Sequence, residues 1–567
     1  MPGGLLQLQA YGSQNQYLNG NPQMTFFKVV YRRYTNFSNE YIRQEVKGPN
    51  ELSNNTPIQL NCKIDRHGDL IQQIYFVFNI PNIYSSYDKE TANILLETGE
   101  NPLKSLYKFQ WIKNLGSTII NWVSISIAGQ EIDKQYGEWI QVWNELNLSN
   151  EELIAYEKMI GSIPQIYSPE NAIGQGGIYP LSSLDPKENI DYQIPFSNNP
   201  TVNTFNPYYK NYSIEGRKIY VPLNFWFCKN PGLSLPLIAL QYHDIYLRIE
   251  LRPLTDLYTI IETDINNDKL GQRVKPNPLR QKQSINNFIT SRTNWSFGEL
   301  IETQILSNRN NDINNNIEIT PFQGWGLDPH FLINYYFLDK EERKRFAKTT
   351  HEYLITQVYT SSFFGIIGTK TLDLKLQHPV KQLIWTTRRS DVNNINNWSN
   401  LTNWLVDYVN PNSFGYYDFL LNNNLLPFNN DINSLNLTIP NKSNSQYFKE
   451  HIIRKARLLF NGEERFSIRD FNFFNLLQPF EYCVRTPRPG IYVYSFSIDK
   501  NNFQPSGSCN MSRIQNIELE IECVETPKRI SLNENLQYLY GFDINVYSVN
   551  YNVLRIMGGM GSIVFSN

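Results

Sequence analysis

The sequence predicts an all-β chain in which one β-domain occurs twice. Three observations carry this: apolar and polar residues alternate with period two in the clearest segments, convincing helices are few, and the same order of segments recurs in the two halves. At 567 residues the chain exceeds one ordinary domain, since single cores stop growing at about 250–300 residues. A hydrophobic content of 41%, with 14% aromatic residues, is ample for packed cores.

The strands come first. In residues 244–251, Ile245, Leu247, Ile249 and Leu251 fall on one side and Asp244, Tyr246, Arg248 and Glu250 on the other. Residues 516–523 repeat the pattern, with Ile517, Leu519, Ile521 and Cys523 opposite Glu518, Glu520 and Glu522. Side chains of a strand alternate between faces, so both segments read as strands with one buried and one wet face. Further strands are expected at 74–80, 123–128, 221–227, 381–386, 456–460 and 492–498. Asn461-Gly462 is the dipeptide preferred where both central residues of a tight hairpin take positive φ, and Ala128-Gly129 stands in a similar place. Two helices are expected. Residues 339–350 have Asp339 as cap, Glu342 closing a capping box and a solvated face of Arg343, Lys344, Arg345 and Lys348; residues 136–146 follow the Gly129 hairpin.

The duplication rests on order. Glu40-Tyr41-Ile42, ending the segment 27–42, recurs as Glu352-Tyr353-Leu354, an offset of 312. Residues 70–78 recur at 380–387 with an offset of 310, the hairpins at Gly129 and Gly462 stand 333 apart, and the final strands at Ile245 and Ile517 stand 272 apart. Order is kept while offsets drift, as expected when different loops lengthen in each copy, because longer surface loops cost little extra closure entropy. Residues 147–211 and 393–444, rich in Asn, Ser, Pro and Tyr, read as those long surface excursions. Residues 254–325 lie between the copies and are poorly patterned.

Composition bears on chemistry. Lys plus Arg number 51 against 53 Asp plus Glu, a net charge of -2, so no global field favours nucleic acid or an anionic membrane. The mean hydropathy is -0.44, no run approaches the roughly 18–20 apolar residues of a membrane span, and residues 1–20 lack a basic-then-apolar secretory signal. A soluble chain is expected. Cys62, Cys228, Cys483, Cys509 and Cys523 are scattered and read as free buried thiols. His67, His243, His330, His351, His378 and His451 stand apart, without the spacing of a metal site, so no metal or other cofactor is expected. Neither a phosphate-binding loop nor a nucleophile elbow is present. The run Gly558, Gly559 and Gly561 reads as a flexible tail. With 10 Trp and 36 Tyr a carbohydrate-binding sandwich is a rival, yet Trp111, Trp122, Phe225 and Trp385 at strand positions read as core. Sequons, for example at Asn36, Asn211 and Asn397, are numerous, and chance in an Asn-rich chain explains them.

The opening run GGLLQLQAYGSQNQYLNGNPQMTFFKVVYRRYTNFS resembles that of major capsid proteins of nucleocytoplasmic large DNA viruses, of the mimivirus and phycodnavirus kind. FLDKEERKRFAKTTHEYLI, HPVKQLIW and the C-terminal YSVNYNVLRIMGGMGSIVFSN carry the same resemblance, which thus covers the whole chain. It implies an all-β fold of two consecutive eight-stranded jelly rolls with long loop insertions and a few short helices. The division would be an N-terminal arm at 1–25, a first jelly roll at 26–255, an interdomain segment at 256–324, and a second jelly roll with C-terminal tail at 325–567. It also implies a late structural protein of the virion with no enzyme activity, assembled in the host cytoplasm, whose homotrimers form pseudo-hexagonal capsomers of an icosahedral shell. Its partners would be its own copies and neighbouring capsomers, minor capsid and penton proteins, and the inner membrane only indirectly, with no direct nucleic acid; glycans would sit on outer loops. Leu5, Leu6 and Tyr11 are expected as assembly contacts that anchor the arm to the capsid interior, because an apolar cluster in a polar arm needs cover. The Asn-rich insertions depart from the family pattern and leave loop chemistry unassigned. A transient assembly scaffold of the same fold is the alternative.

Overall fold

The computed structural model describes residues 3–10, 12–15, 19, 21–29, 31–83, 108–175, 177, 179–182, 209–210, 212–262, 273–277, 326–404, 450–499, 504–526, 528–530, 536–538 and 540–565. An N-terminal helix, α1 (Gly3–Gln9), precedes β1 (Phe37–Glu45), β2 (Ile58–Lys63), β3 (Leu70–Ile80), β4 (Ile120–Ile127) and β5 (Gln130–Tyr136). Two helices, α2 (Gly137–Asn147) and α3 (Asn150–Met159), lead to β6 (Arg217–Pro222), β7 (Ile245–Leu251) and β8 (His330–Leu338). These strands form sheets of order β1-β8-β3-β6 and β2-β7-β4-β5. After α4 (Lys340–Lys348) come β9 (His351–Ile366), β10 (Thr369–Asp373), β11 (Pro379–Arg389), β12 (Ile453–Phe460), β13 (Glu463–Asp470), β14 (Ile491–Ser495), β15 (Ile517–Cys523) and β16 (Phe542–Met557). Their sheets have the order β9-β16-β11-β14 and β10-β15-β12-β13, the same permutation as in the first unit. All these pairs are antiparallel. Strands that alternate between two facing sheets in this order make a jelly roll, and the chain contains two.

The local signals behave as their chemistry requires. β7 buries Ile245, Leu247, Ile249 and Leu251, and β15 buries Ile517, Leu519, Ile521 and Cys523. The hairpins joining β4 to β5 and β12 to β13 place Ala128 and Gly129 at φ +51° and +84°, and Asn461 and Gly462 at +51° and +85°. Gly558 and Gly559 make a third such turn at +59° and +83°, and Met560–Ile563 pairs back onto β16. The C-terminal glycines therefore form a hairpin, not a flexible tail.

Other expectations need correction. The strands at Ile245 and Ile517 are not the last of their units: β8 and β16 follow, each inserted into the middle of the opposite sheet. β8 pairs with β1 from Phe37↔Leu338 to Glu45↔His330 and with β3 at His330↔Val77. The first jelly roll thus reaches residue 338, past the boundary at 325 read from the sequence, because its sheet is incomplete until a strand fills the gap between β1 and β3. The described part of 256–324 also belongs to the first core, where Tyr258–Ile261 pairs with Gln110–Trp111 and buries Tyr258 and Ile260. Within the segment 27–42, β1 begins at Phe37. At 221–227 the strand ends at Pro222, and Trp226–Cys228 is a 3-10 turn that buries the consecutive Phe225, Trp226 and Phe227, which period two could not do. α3 interrupts the supposed excursion at 147–211, with a capping box in which Ser149 N donates to Glu152 Oε2 (2.9 Å) and Glu152 N to Ser149 Oγ (3.3 Å). α4 forms as expected, but Asp339 makes no side-chain cap bond. Its Arg343 instead reaches Asp69 at 3.0 Å.

Two cores result. The first gathers Phe76, Phe78, Trp111, Phe225 and Tyr335, and the second Trp385, Phe474, Tyr492 and Tyr494. Trp122, expected as core, is instead half-buried, with Lys134 Nζ 4.4 Å from its ring centroid.

Candidate assembly surfaces

The two jelly rolls are welded by an element of the first lying on the second. α2 leaves β5 directly at Gly137, where a Cβ would stand 2.1 Å from the Ser117 carbonyl oxygen and 2.2 Å from that of Ile120. Glycine lets the helix start that close to the backbone beneath it. The following residues, GEWIQVWNELN, bury Trp139, Val142, Trp143 and Leu146 against Val358, Ile384, Ile491, Val493, Tyr547 and Val549. Leu383, Trp385, Tyr492 and Val546 fill the second core, so by strand alternation α2 covers the outer face of the β9-β16-β11-β14 sheet. Trp139 packs on Trp143 and Tyr547 with ring centroids 5.4 and 5.2 Å away.

Length supplies a second weld. β9 and β16 each run 16 residues against nine in β1 and β8, and the surplus carries Ile355, Leu554 and Ile556 into the first core. The C-terminal hairpin adds polar contacts: Tyr242 N donates to Gly559 O (3.0 Å) and Gly561 N to His243 Nδ1 (3.1 Å). A third clamp comes from 390–404, most of it within the loop excursion expected at 393–444. Trp398 Nε1 donates to Asp256 O (2.9 Å), and Asn396 Nδ2 donates to the carbonyls of Thr255 (2.6 Å) and Tyr258 (2.8 Å).

Charges are buried along this seam. Glu138 accepts from Arg388 (3.2 Å), from Asn545 (3.0 Å) and from the Thr386 hydroxyl. Burial would raise the Glu145 carboxyl, but Arg488, through its main-chain N (2.7 Å) and guanidinium (2.9 Å), outweighs it and with Arg485 holds the group below its usual range. Burial pushes Asp133 up to about 6 and Lys229 down to about 8. The Lys229 ammonium lies 4.0 Å from the Trp143 ring centroid. Desolvating such groups offsets much of their attraction, so the apolar contacts of α2 carry the weld and the charges fix its register.

Away from the seam, apolar side chains face water. Leu5 is 49% exposed on α1; nothing is described of the Leu6 side chain, and Tyr11 lies outside the described residues. Of these three, only the Leu5 side chain is described. Apolar exposure concentrates further along, at Met24, Phe26, Phe27 (97%), Val29, Tyr31 and Tyr34. The signal was available in the run MTFFKVVYRRY, which has more apolar bulk than Leu5 and Leu6 supply. The aromatic band continues onto the outer face of the β1-β8-β3-β6 sheet, where Phe37 packs on Tyr336 (5.8 Å) and Tyr41 on Tyr75 (6.2 Å). Tyr41 Oη donates to Gln73 Oε1 (2.8 Å). Among the described residues no three His, Cys, Asp or Glu side chains gather as metal ligands, and no helix is long and apolar enough to cross a membrane.

Comparison with known proteins agrees with this architecture. Residues 25–288 match the family described as major capsid protein N-terminus, and residues 342–562 match large eukaryotic DNA virus major capsid protein. The major capsid protein of Phaeocystis pouchetii virus is 31% identical over the full length of both chains. That of Paramecium bursaria Chlorella virus 1 is 28% identical, also over all of both chains. Among solved structures, the PBCV-1 virus capsid chain superposes with a TM-score of 0.57 at 23% identity, covering 96% of this chain and 100% of that one. The Faustovirus major capsid protein gives 0.57 at 12% identity, covering 98% and 96%. With two jelly rolls in tandem, matches to both halves and a full-length relative at 31% identity, the chain belongs to the major capsid protein family of large eukaryotic DNA viruses.

Proposed function

We propose that three copies of this chain close into a pseudo-hexagonal capsomer and that such capsomers tile the icosahedral shell of a virion. One observation carries the reading: each chain holds two jelly rolls of identical strand order, so a closed trimer presents six similar blocks around its axis while obeying threefold symmetry. The loop insertions expected at 147–211 and 393–444, much of whose length lies outside the described residues, are assigned the host-facing role, glycans included, and the exposed Met24, Phe26, Phe27, Val29, Tyr31 and Tyr34 face the shell interior and minor capsid or penton proteins. Leu5, Leu6 and Tyr11 add to that inner contact. The subunit acts by shape and contact, without catalysis, and assembles in the host cytoplasm.

Three measurements test this. Sedimentation equilibrium of the purified chain should give roughly 200 kDa, three times the 66.4 kDa chain; a stable monomer retained on a glycan column would favour the lectin reading. The chain should also be the dominant protein of purified particles, whereas its absence from mature particles would mark a scaffold. Deleting residues 1–20 should leave trimers intact but reduce shell formation, and undiminished assembly would refute the anchoring role of Leu5, Leu6 and Tyr11.

A further inference from the structure

We infer that the helical segment 473–482 of one copy docks on the outer face of the β1-β8-β3-β6 sheet of a neighbouring copy, a contact that rests on the capsomer reading above. The duplication supplies the argument. In the first jelly roll the segment directly after the fifth strand is α2, and it packs on the outer face of the second unit's β9-β16-β11-β14 sheet. In the second jelly roll the segment directly after the fifth strand is again helical, Phe473–Leu477 continuing into Gln478–Tyr482. It stands in the same topological place, between β13 and β14. Phe474 and Gln478 are buried against its own unit, while Leu476 and Leu477 are 48% and 46% exposed. Both line a shallow, mostly apolar groove with Phe473 and Phe480.

The counterpart of the sheet that α2 covers is β1-β8-β3-β6. Its outer face carries Phe37, Tyr41, Tyr75 and Tyr336, and Phe37 and Tyr41 are about half exposed. Each chain therefore completes one helix-on-sheet contact internally, and among the described residues it leaves both halves of a second open to solvent. A second copy supplies the missing half at each end. Such a head-to-tail contact closes into a ring when its rotation permits. Three copies then hold six contacts of one kind, three within chains and three between them.

Two double variants test the docking: Leu476→Asp with Leu477→Asp for the helical half, and Phe37→Asp with Tyr41→Asp for the sheet half. With circular dichroism and melting matching wild type, each should run as a 66.4 kDa monomer where wild type is trimeric. An equimolar mixture should yield a one-to-one dimer, because the intact helix of one still fits the intact sheet of the other. A well-folded variant that stays trimeric, or a mixture that stays monomeric, overturns the docking; a monomeric wild type instead overturns the capsomer reading. Independently of variant folding, a photo-crosslinker at position 477 of the otherwise unaltered chain should capture peptides from 37–45 or 70–80 in a cross-linked dimer. Capture confined to other segments rejects the contact.

Discussion

His451 stacks on Phe471 with ring centroids 4.2 Å apart and has Nδ1 3.3 Å from the Tyr492 hydroxyl. Burial pushes its pKa down to about 4 from 6.5, so the folded protein holds it neutral where the unfolded chain would protonate it. Its contribution is complete above pH 6.5 and is lost as pH falls through about 4. A His451→Phe variant should therefore lose less stability than wild type between those limits. One unit is about 1.4 kcal/mol, and with solvent screening discounted the difference should be roughly 1–2 kcal/mol, measurable from urea midpoints at the two pH values. Equal losses in both proteins would remove His451 from the acid response. Glu145 has the same sign, since its carboxyl is held below the ordinary range and its contribution goes as that carboxyl protonates. Neither shift was legible in the sequence, where His451 was only an isolated histidine and Glu145 one residue of an expected helix. A pKa depends on which groups surround the site, and Arg488 is 343 residues from Glu145.

Among the elements, α2 does most to make two jelly rolls one body. Its helical character was readable at 136–146, but its burial between the units was not, because Val358, Ile384 and Tyr547, its apolar partners, lie more than two hundred residues away. Trp139→Ala should cost about 3–5 kcal/mol, the usual range for emptying a buried Trp site. It should also divide a single calorimetric transition into two as the units begin to melt separately; an unsplit transition with little shift would show that β9, β16 and the 390–404 clamp suffice. The capping box of α3 is written in the sequence as Ser149-Asn150-Glu151-Glu152, but a four-residue signal is weak against the Asn-rich surroundings of 147–211. At α4 the opposite happened: Asp339 and Glu342 have the spacing of a box, yet the side-chain cap is absent, and the described tie of the helix to the first unit is the Arg343–Asp69 ion pair.

For the whole molecule, the two units share strands as well as a seam, through the long ends of β9 and β16. Deleting residues 558–567 removes the Tyr242 and His243 contacts to the C-terminal hairpin, and should lower the stability of the first jelly roll by roughly 1–3 kcal/mol, from two hydrogen bonds at about 1 kcal/mol each plus exposed surface. Hydrogen exchange should then quicken in β4 and β7 before β12 and β15. Uniform exchange across both units would place the hairpin outside the first core's support.

The all-β class, the turn positions and the duplication were determined by the sequence alone. Strand alternation and positive-φ hairpins are local properties, and Ile245–Leu251 or Asn461-Gly462 need no distant partner to reveal them. The paired order of Glu40–Ile42 with Glu352–Leu354 and of Gly129 with Gly462 then carried the tandem architecture. Only the tertiary structure placed β8 in the first unit, buried α2 against the second and turned Trp398 inward. Each of these depends on contacts between segments far apart in the chain, whose free energy lies in the shared removal of apolar surface from water and has no signature in either segment read by itself.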